Sequence, residues 1–134
     1  MKRVLIALPI LVLLLASSSL ASQYFGLRAL ALPVVARWLL WMIEAAGLCG
    51  LFLIAAAPSD RVDRAGSTGS LSLGLAVGLA AWIFRGPVVA TTLLAAGALG
   101  RSEARTLSFT TLLAYLACGL VLGWLGGRSK SPSP

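Results

Sequence analysis

A single carboxylate lies inside the long apolar segments of this chain. Glu44 stands in residues 32–57, LPVVARWLLWMIEAAGLCGLFLIAAA, a run long enough to cross a bilayer. Arg37 lies seven residues earlier on the same face of a helix, about 10 Å away, which is too far for direct pairing without water. Trp41 lies between them, so a cation–π contact from Arg37 is expected on this stripe.

The chemistry of Glu44 has two interpretations. An ionisable residue in lipid is costly, so it is a functional candidate by default, here a proton- or cation-linked transport site. In the second interpretation, an arginine on a neighbouring helix or on a partner subunit pairs with Glu44 and makes it tolerable. Arg85 is the internal candidate if its helix is continuous. The structural interpretation is favoured, because one acid without polar neighbours makes a poor translocation path.

Small residues recur at a spacing of four, which lets helix backbones approach closely within a membrane. They form three sets: Ser70, Gly74 and Gly78; Ala46 and Gly50; Gly119 and Gly123. Hydroxyl groups share one face of the last apolar segment at Ser108, Thr111 and Tyr115. Such groups bond either across helices or back to carbonyls of their own helix, and both possibilities stay open.

Composition indicates what kind of fold carries these residues. Of 134 residues, 59% are hydrophobic and only 11% are charged, about half the charge of an average soluble domain. The net charge is +7, but the basic residues stand in ones and twos at the ends of apolar blocks. That pattern orients helices in a membrane and does not favour nucleic acid as a partner. We therefore expect an all-α, polytopic membrane protein folded as one small antiparallel bundle.

Four spans are expected, or three if the first segment is removed. Residues 1–22 fit a signal peptide, or a retained first helix over residues 4–20, and retention is favoured. The other predicted segments are spans over residues 33–57, 71–100 and 105–126, a hydrophilic loop over 58–70, and a disordered basic tail over 128–134.

Residues 71–100 are ambiguous. They form either one helix kinked at 85–87 or two short pieces joined there by a turn, as a re-entrant hairpin or two thin spans. One helix gives six cytoplasmic basic residues and three external ones, whereas two crossings give six and four. The positive-inside rule therefore slightly favours one kinked helix, with both termini cytoplasmic. In that arrangement the external residues are Arg28, Arg101 and Arg105, and the cytoplasmic ones are Lys2, Arg3, Arg61, Arg64, Arg128 and Lys130.

Catalytic groups are few. The chain has no histidine, and Cys49 and Cys118 lie far apart inside apolar segments, so no metal, cofactor or enzymatic activity is expected. The favoured function is an accessory or structural subunit of the plasma membrane, packing against lipid and against other membrane subunits or itself. A small transporter or channel using Glu44 is the alternative. A holin-like pore former is a further one.

Overall fold

The computed structural model describes the backbone of residues 2–24, 33–56 and 60–127, and the side chains of 6–21, 33–56 and 68–127. Within these ranges the fold is helical, with no strand, which confirms the prediction of an all-α bundle. The helices are α1 (Lys2–Tyr24), α2 (Val34–Ala56), α3 (Asp60–Ile83), a π-helical turn (Phe84–Val88), α4 (Val89–Ala95) and α5 (Arg101–Gly127).

Three stretches are long and apolar enough to cross a membrane: Val34–Ala56, Thr68–Ala95 and Arg101–Gly127. A shorter apolar helix covers Ile6–Ala21 within α1. The helix α5 packs against α1 and α3, and α2 packs against the same two helices, which places the four in a ring. The predicted tail at residues 128–134 lies outside the described residues.

The ambiguous region forms one continuous helix, and the turn proposed at 85–87 does not occur. Helical structure runs from α3 through the π-helical turn into α4. The irregularity has a local cause at Pro87, which lacks an N–H and whose ring would clash with the carbonyl of Ile83. Widening one turn to π geometry keeps the helix going past this residue.

The connection between α4 and α5 begins and ends at different residues from those that the sequence predicted. The long helix ends at Ala95 rather than Gly100, because Gly97 adopts a φ of 71°. The N–H of Ala98 then bonds to the carbonyl of Leu93 at 2.9 Å, and that of Gly97 to Leu94 at 3.1 Å. This is the Schellman pattern, which satisfies carbonyls at a helix end.

The last helix begins at Arg101 rather than at residue 105. Gly100 precedes it, and its carbonyl accepts the first helical bond, from the N–H of Ala104 at 2.9 Å. The carboxylate of Glu103 accepts the N–H of Gly100 at 2.7 Å. Because this side chain satisfies an otherwise unpaired donor, the helix extends one turn further than the apolar pattern predicted.

The hydrophilic loop predicted over 58–70 is mostly helix. The helix α3 starts at Asp60, so only residues 57–59 lie between it and α2. Polarity between two spans suggested a loop, yet adding residues to an existing helix costs little once the span has nucleated it. A connection of three residues also suits two antiparallel neighbouring helices.

The backbones of α3 and α5 touch at the predicted small residues. A Cβ built at Gly74 would lie 2.8 Å from the backbone nitrogen of Gly123 and would overlap the carbonyl oxygen of Gly119. A Cβ at Gly78 would meet the backbone of Tyr115. Lower residue numbers on one helix oppose higher numbers on the other, so the pair is antiparallel. At one end the buried Ser70 hydroxyl donates to the Gly123 carbonyl at 2.7 Å.

The remaining small-residue pair behaves differently. Ala46 is exposed, and nothing lies within 4 Å of a Cβ built at Gly50. Ala46 and Gly50 therefore do not pack against another described helix of this chain, and of the two predicted possibilities only packing against a partner stays open for them. The buried face of α2 instead carries Ala45, Leu48, Cys49 and Phe52. These join Leu11 and Leu15 of α1 and Leu122 of α5 in one apolar core.

Replacing Gly74 by Ala should destabilise the bundle by about 1–3 kcal/mol, because the new methyl group would press on backbone atoms that cannot move aside. The matched control is Gly50→Ala, which meets open space and should gain stability from its higher helix propensity. The measurement is chemical unfolding in detergent followed by circular dichroism. Equal stability of the two variants would contradict the close α3–α5 contact.

Candidate functional site

Glu44 sits at the edge of the buried face of α2, close to the middle of its span. The span Val34–Ala56 has its central residue at position 45. The neighbouring Ala45 and Leu48 are buried in the core, whereas the Glu44 side chain remains 19% exposed. The carboxylate therefore lies at the boundary of the apolar core and points towards the long helix formed by α3 and α4.

Arg85 reaches Glu44 from the π-helical turn. Its Nε donates to Oε1 of Glu44 at 2.8 Å, and half of the arginine side chain stays exposed. Arg85 lies about 5 Å from the centre of the span Thr68–Ala95. The predicted pair between Glu44 and Arg85 thus forms, and the continuous helix is what brings the arginine to this depth.

The π-helical turn also holds α3 against α5 beside Arg85. A Cβ at Gly86 would lie 2.5 Å from the Nε1 of Trp82 and 2.9 Å from the hydroxyl of Thr111. Only glycine leaves room for these groups without movement. The Trp82 N–H donates to the backbone carbonyl of Ser108 at 2.9 Å, which fixes this turn on α5.

Tyr115 completes the cluster, and sequence reasoning did not connect it with Glu44. It lies one residue from the centre of Arg101–Gly127 and is only 3% exposed. Its hydroxyl donates to the same Oε1 atom that accepts Arg85, and it also interacts with the guanidinium. One signal was present in the sequence: Tyr115 stands at the same depth of its span as Glu44 does.

The predicted hydroxyl groups on the face of α5 make both kinds of bond, back to carbonyls of their own helix and across to another helix. Thr111 bonds back to carbonyls of its own helix, those of Leu107 at 2.7 Å and Ser108 at 3.0 Å. Tyr115 reaches across to α2. The difference follows from length, because a threonine hydroxyl sits close to its own backbone while a phenol extends beyond it.

Arg37 is not part of the cluster. Its Nε is buried without a hydrogen-bond partner among the described residues. Trp41 makes an edge-on ring contact with Trp38 at 5.2 Å, and among the contacts of the described residues the expected cation–π contact with Arg37 does not occur. The residues of the predicted stripe therefore do not act together, since Glu44 bonds to Arg85 and Tyr115 while Arg37 lies about two turns away along α2.

The cluster can hold charge but offers little for chemistry. One carboxylate and one guanidinium cancel, and the phenol adds a neutral donor. The described side chains contain no group of three histidines, cysteines or acids that could hold a metal ion. Cys49 and Cys118 are buried thiols that form no disulfide. The arrangement joins three helices at the middle of the membrane.

Comparison with known protein families, with curated proteins and with solved structures finds no match to this chain. The functional argument therefore rests on the contacts of Glu44, Arg85 and Tyr115.

A double-mutant cycle with Glu44→Gln and Arg85→Gln should give a coupling free energy of roughly 0.5–3 kcal/mol between the two residues. Each single variant leaves one polar group without its partner, so the two losses should not add. The readout is the unfolding free energy in detergent.

The control cycle combines Glu44→Gln with Arg37→Gln. These two residues share no contact, so their effects should add to within about 0.5 kcal/mol. Additive effects of Glu44→Gln and Arg85→Gln would rule out a stabilising ion pair.

Proposed function

We propose that this protein is a small integral membrane subunit that works by helix packing, within a larger membrane complex or a homo-oligomer. One observation carries the proposal. Two hydrogen-bond donors in the described part of the chain, from Arg85 and Tyr115, converge on one oxygen of Glu44. An acid held in this way links α2 to the π-helical turn and to α5, and its charge is already balanced by Arg85.

The lipid-facing surface supports the same proposal. Most large apolar side chains of α2 are exposed, and they carry no polar group that would suit an aqueous substrate. Side chains of this kind contact lipid or other membrane helices. Together with the few catalytic groups of the sequence, this favours a structural role over an enzymatic one.

For orientation we propose the plasma membrane, with both chain termini in the cytoplasm. The single continuous helix over residues 60–95 corresponds to the topology with six basic residues inside and three outside. The positive-inside rule favours the orientation that keeps the larger number in the cytoplasm. The turn between α4 and α5 would then face outwards.

Cysteine labelling tests this orientation with a matched pair of variants. Ser102→Cys, exposed at the start of α5, should react with a membrane-impermeant maleimide in intact cells. Thr68→Cys, exposed at the other end of the α3 span, should react only after permeabilisation. The two native thiols are buried, so the parent chain should label weakly. The reverse pattern would invert the proposed topology.

A transport or channel role remains the alternative, and one observation favours it. The π-helical turn lies at Arg85, and single π-helical turns occur frequently at functional sites. Arg85 is also half-exposed, so the pair is reachable from one side. In this alternative Glu44 would exchange Arg85 for a transported cation or proton.

Glu44→Gln separates the two functions when assembly and flux are measured independently. A structural subunit should lose assembly, seen as a smaller species on native gels, and should show no change in ion flux in reconstituted vesicles. A transporter should assemble normally and lose flux. Arg85→Gln should match Glu44→Gln in the structural case, because either change breaks the same pair. Normal assembly of both variants would refute the structural proposal.

A further inference from the structure

The guanidinium of Arg85 has more donors than the bundle uses. An arginine carries five N–H donors. Among the described residues its polar partners are Glu44 and Tyr115, and half of the side chain faces outwards. The exposed half of this side chain therefore lies near the middle of the span Thr68–Ala95, with donors that the described contacts do not use. In hydrocarbon each unsatisfied donor is costly, so this edge would be stabilised by an acceptor beyond the described residues, and a neighbouring helix can supply one.

Charge neutrality selects among the acceptors. The cluster of Glu44 and Arg85 is neutral as it stands. A foreign helix bringing one more carboxylate would leave a net negative charge at mid-membrane, which is costly. A second copy of this chain would bring its own neutral pair. Two copies together contain two carboxylates and two guanidiniums, and the total charge stays zero.

The surface beside the pair suits close approach of a second copy. Leu40, Glu44, Gly47 and Leu51 follow each other at helical spacing along one stripe of α2, and all but the half-buried Glu44 are exposed. Nothing lies within 4 Å of a Cβ built at Gly47. A glycine one turn from Glu44 allows another backbone to come near, while the leucines supply apolar contact.

We infer that two copies of this chain pair through the α2 stripe and Arg85, each arginine donating to the Glu44 of the other copy. Glu44 and Arg85 form an ion pair on one patch of the surface. A two-fold axis passing near Gly47 would place the Arg85 of each copy opposite the Glu44 of the other copy. Each carboxylate would then accept bonds from two guanidiniums. This inference rests on the proposed function and names its partner.

Co-capture of two differently tagged copies in mild detergent tests the contact. Wild-type copies should capture each other. Gly47→Leu should lower capture about tenfold, because a leucine blocks close approach of the partner. Its side chain enters open space and leucine favours helix, so the monomer should fold normally. The matched control Ala76→Leu, exposed on α3 more than two turns from Arg85, should capture like wild type.

A charge exchange tests the reciprocal pairing. Arg85→Glu makes the cluster negative and Glu44→Arg makes it positive, so copies of either variant should fail to capture their own kind. Mixed together, the two variants restore neutral pairs only across the interface and should capture each other at least about tenfold better than either captures itself. The double variant Glu44→Arg with Arg85→Glu serves as the folding control and should capture itself.

The outcomes separate this inference from the proposed function. Absence of wild-type co-capture, or normal capture by Gly47→Leu, overturns the dimer. If the chain then co-purifies stoichiometrically with a different membrane protein, and Glu44→Gln removes that partner, the structural function stands without the dimer. If Glu44→Gln changes neither assembly nor partners, both proposals fail.

Discussion

The contact between the backbones of α3 and α5 determines where the other groups of this protein lie. In lipid, helices gain little from burying apolar surface, so close packing of small residues must hold them together. Gly74 and Gly119 let the two backbones touch. This contact fixes how α5 is aligned along α3, and that alignment lets the long side chain of Tyr115 reach the pair of Glu44 and Arg85. The polar cluster therefore depends on glycines one to three turns away along the same helices.

The polar cluster adds selectivity rather than bulk stability. A carboxylate in hydrocarbon is unfavourable alone, so α2 must adopt the rotation that directs Glu44 towards Arg85. Apolar residues on α2 would fit several rotations, because leucine and isoleucine occur all around the helix. The acid removes this freedom. In a small bundle with few polar residues, one ion pair can thus specify the position of a helix.

The π-helical turn shows how a local defect becomes part of this arrangement. Pro87 disrupts the regular hydrogen bonding, and the wider turn places Arg85 and Gly86 side by side at the junction of three helices. Gly86 accommodates the Trp82 ring, and Arg85 extends to α2.

The sequence by itself determined the class of fold, the all-α membrane bundle, because apolar runs of about 20 residues with very few charges inside them satisfy their backbone in lipid as helices. It also predicted the partner of Glu44, since the chain has so few charges within its spans. The ends of α3, α4 and α5 escaped prediction, because they depend on hydrogen bonds such as that of Glu103 to Gly100.

Only the tertiary structure decided that Tyr115 joins Glu44 and that Arg37 does not. A spacing of seven residues places Arg37 and Glu44 on one side of α2, but contacts between helices depend on rotation and axial alignment. Those are set jointly by the glycine contact of α3 with α5 and by the π-helical turn. Each is a property of two or more helices together, and no single segment contains it.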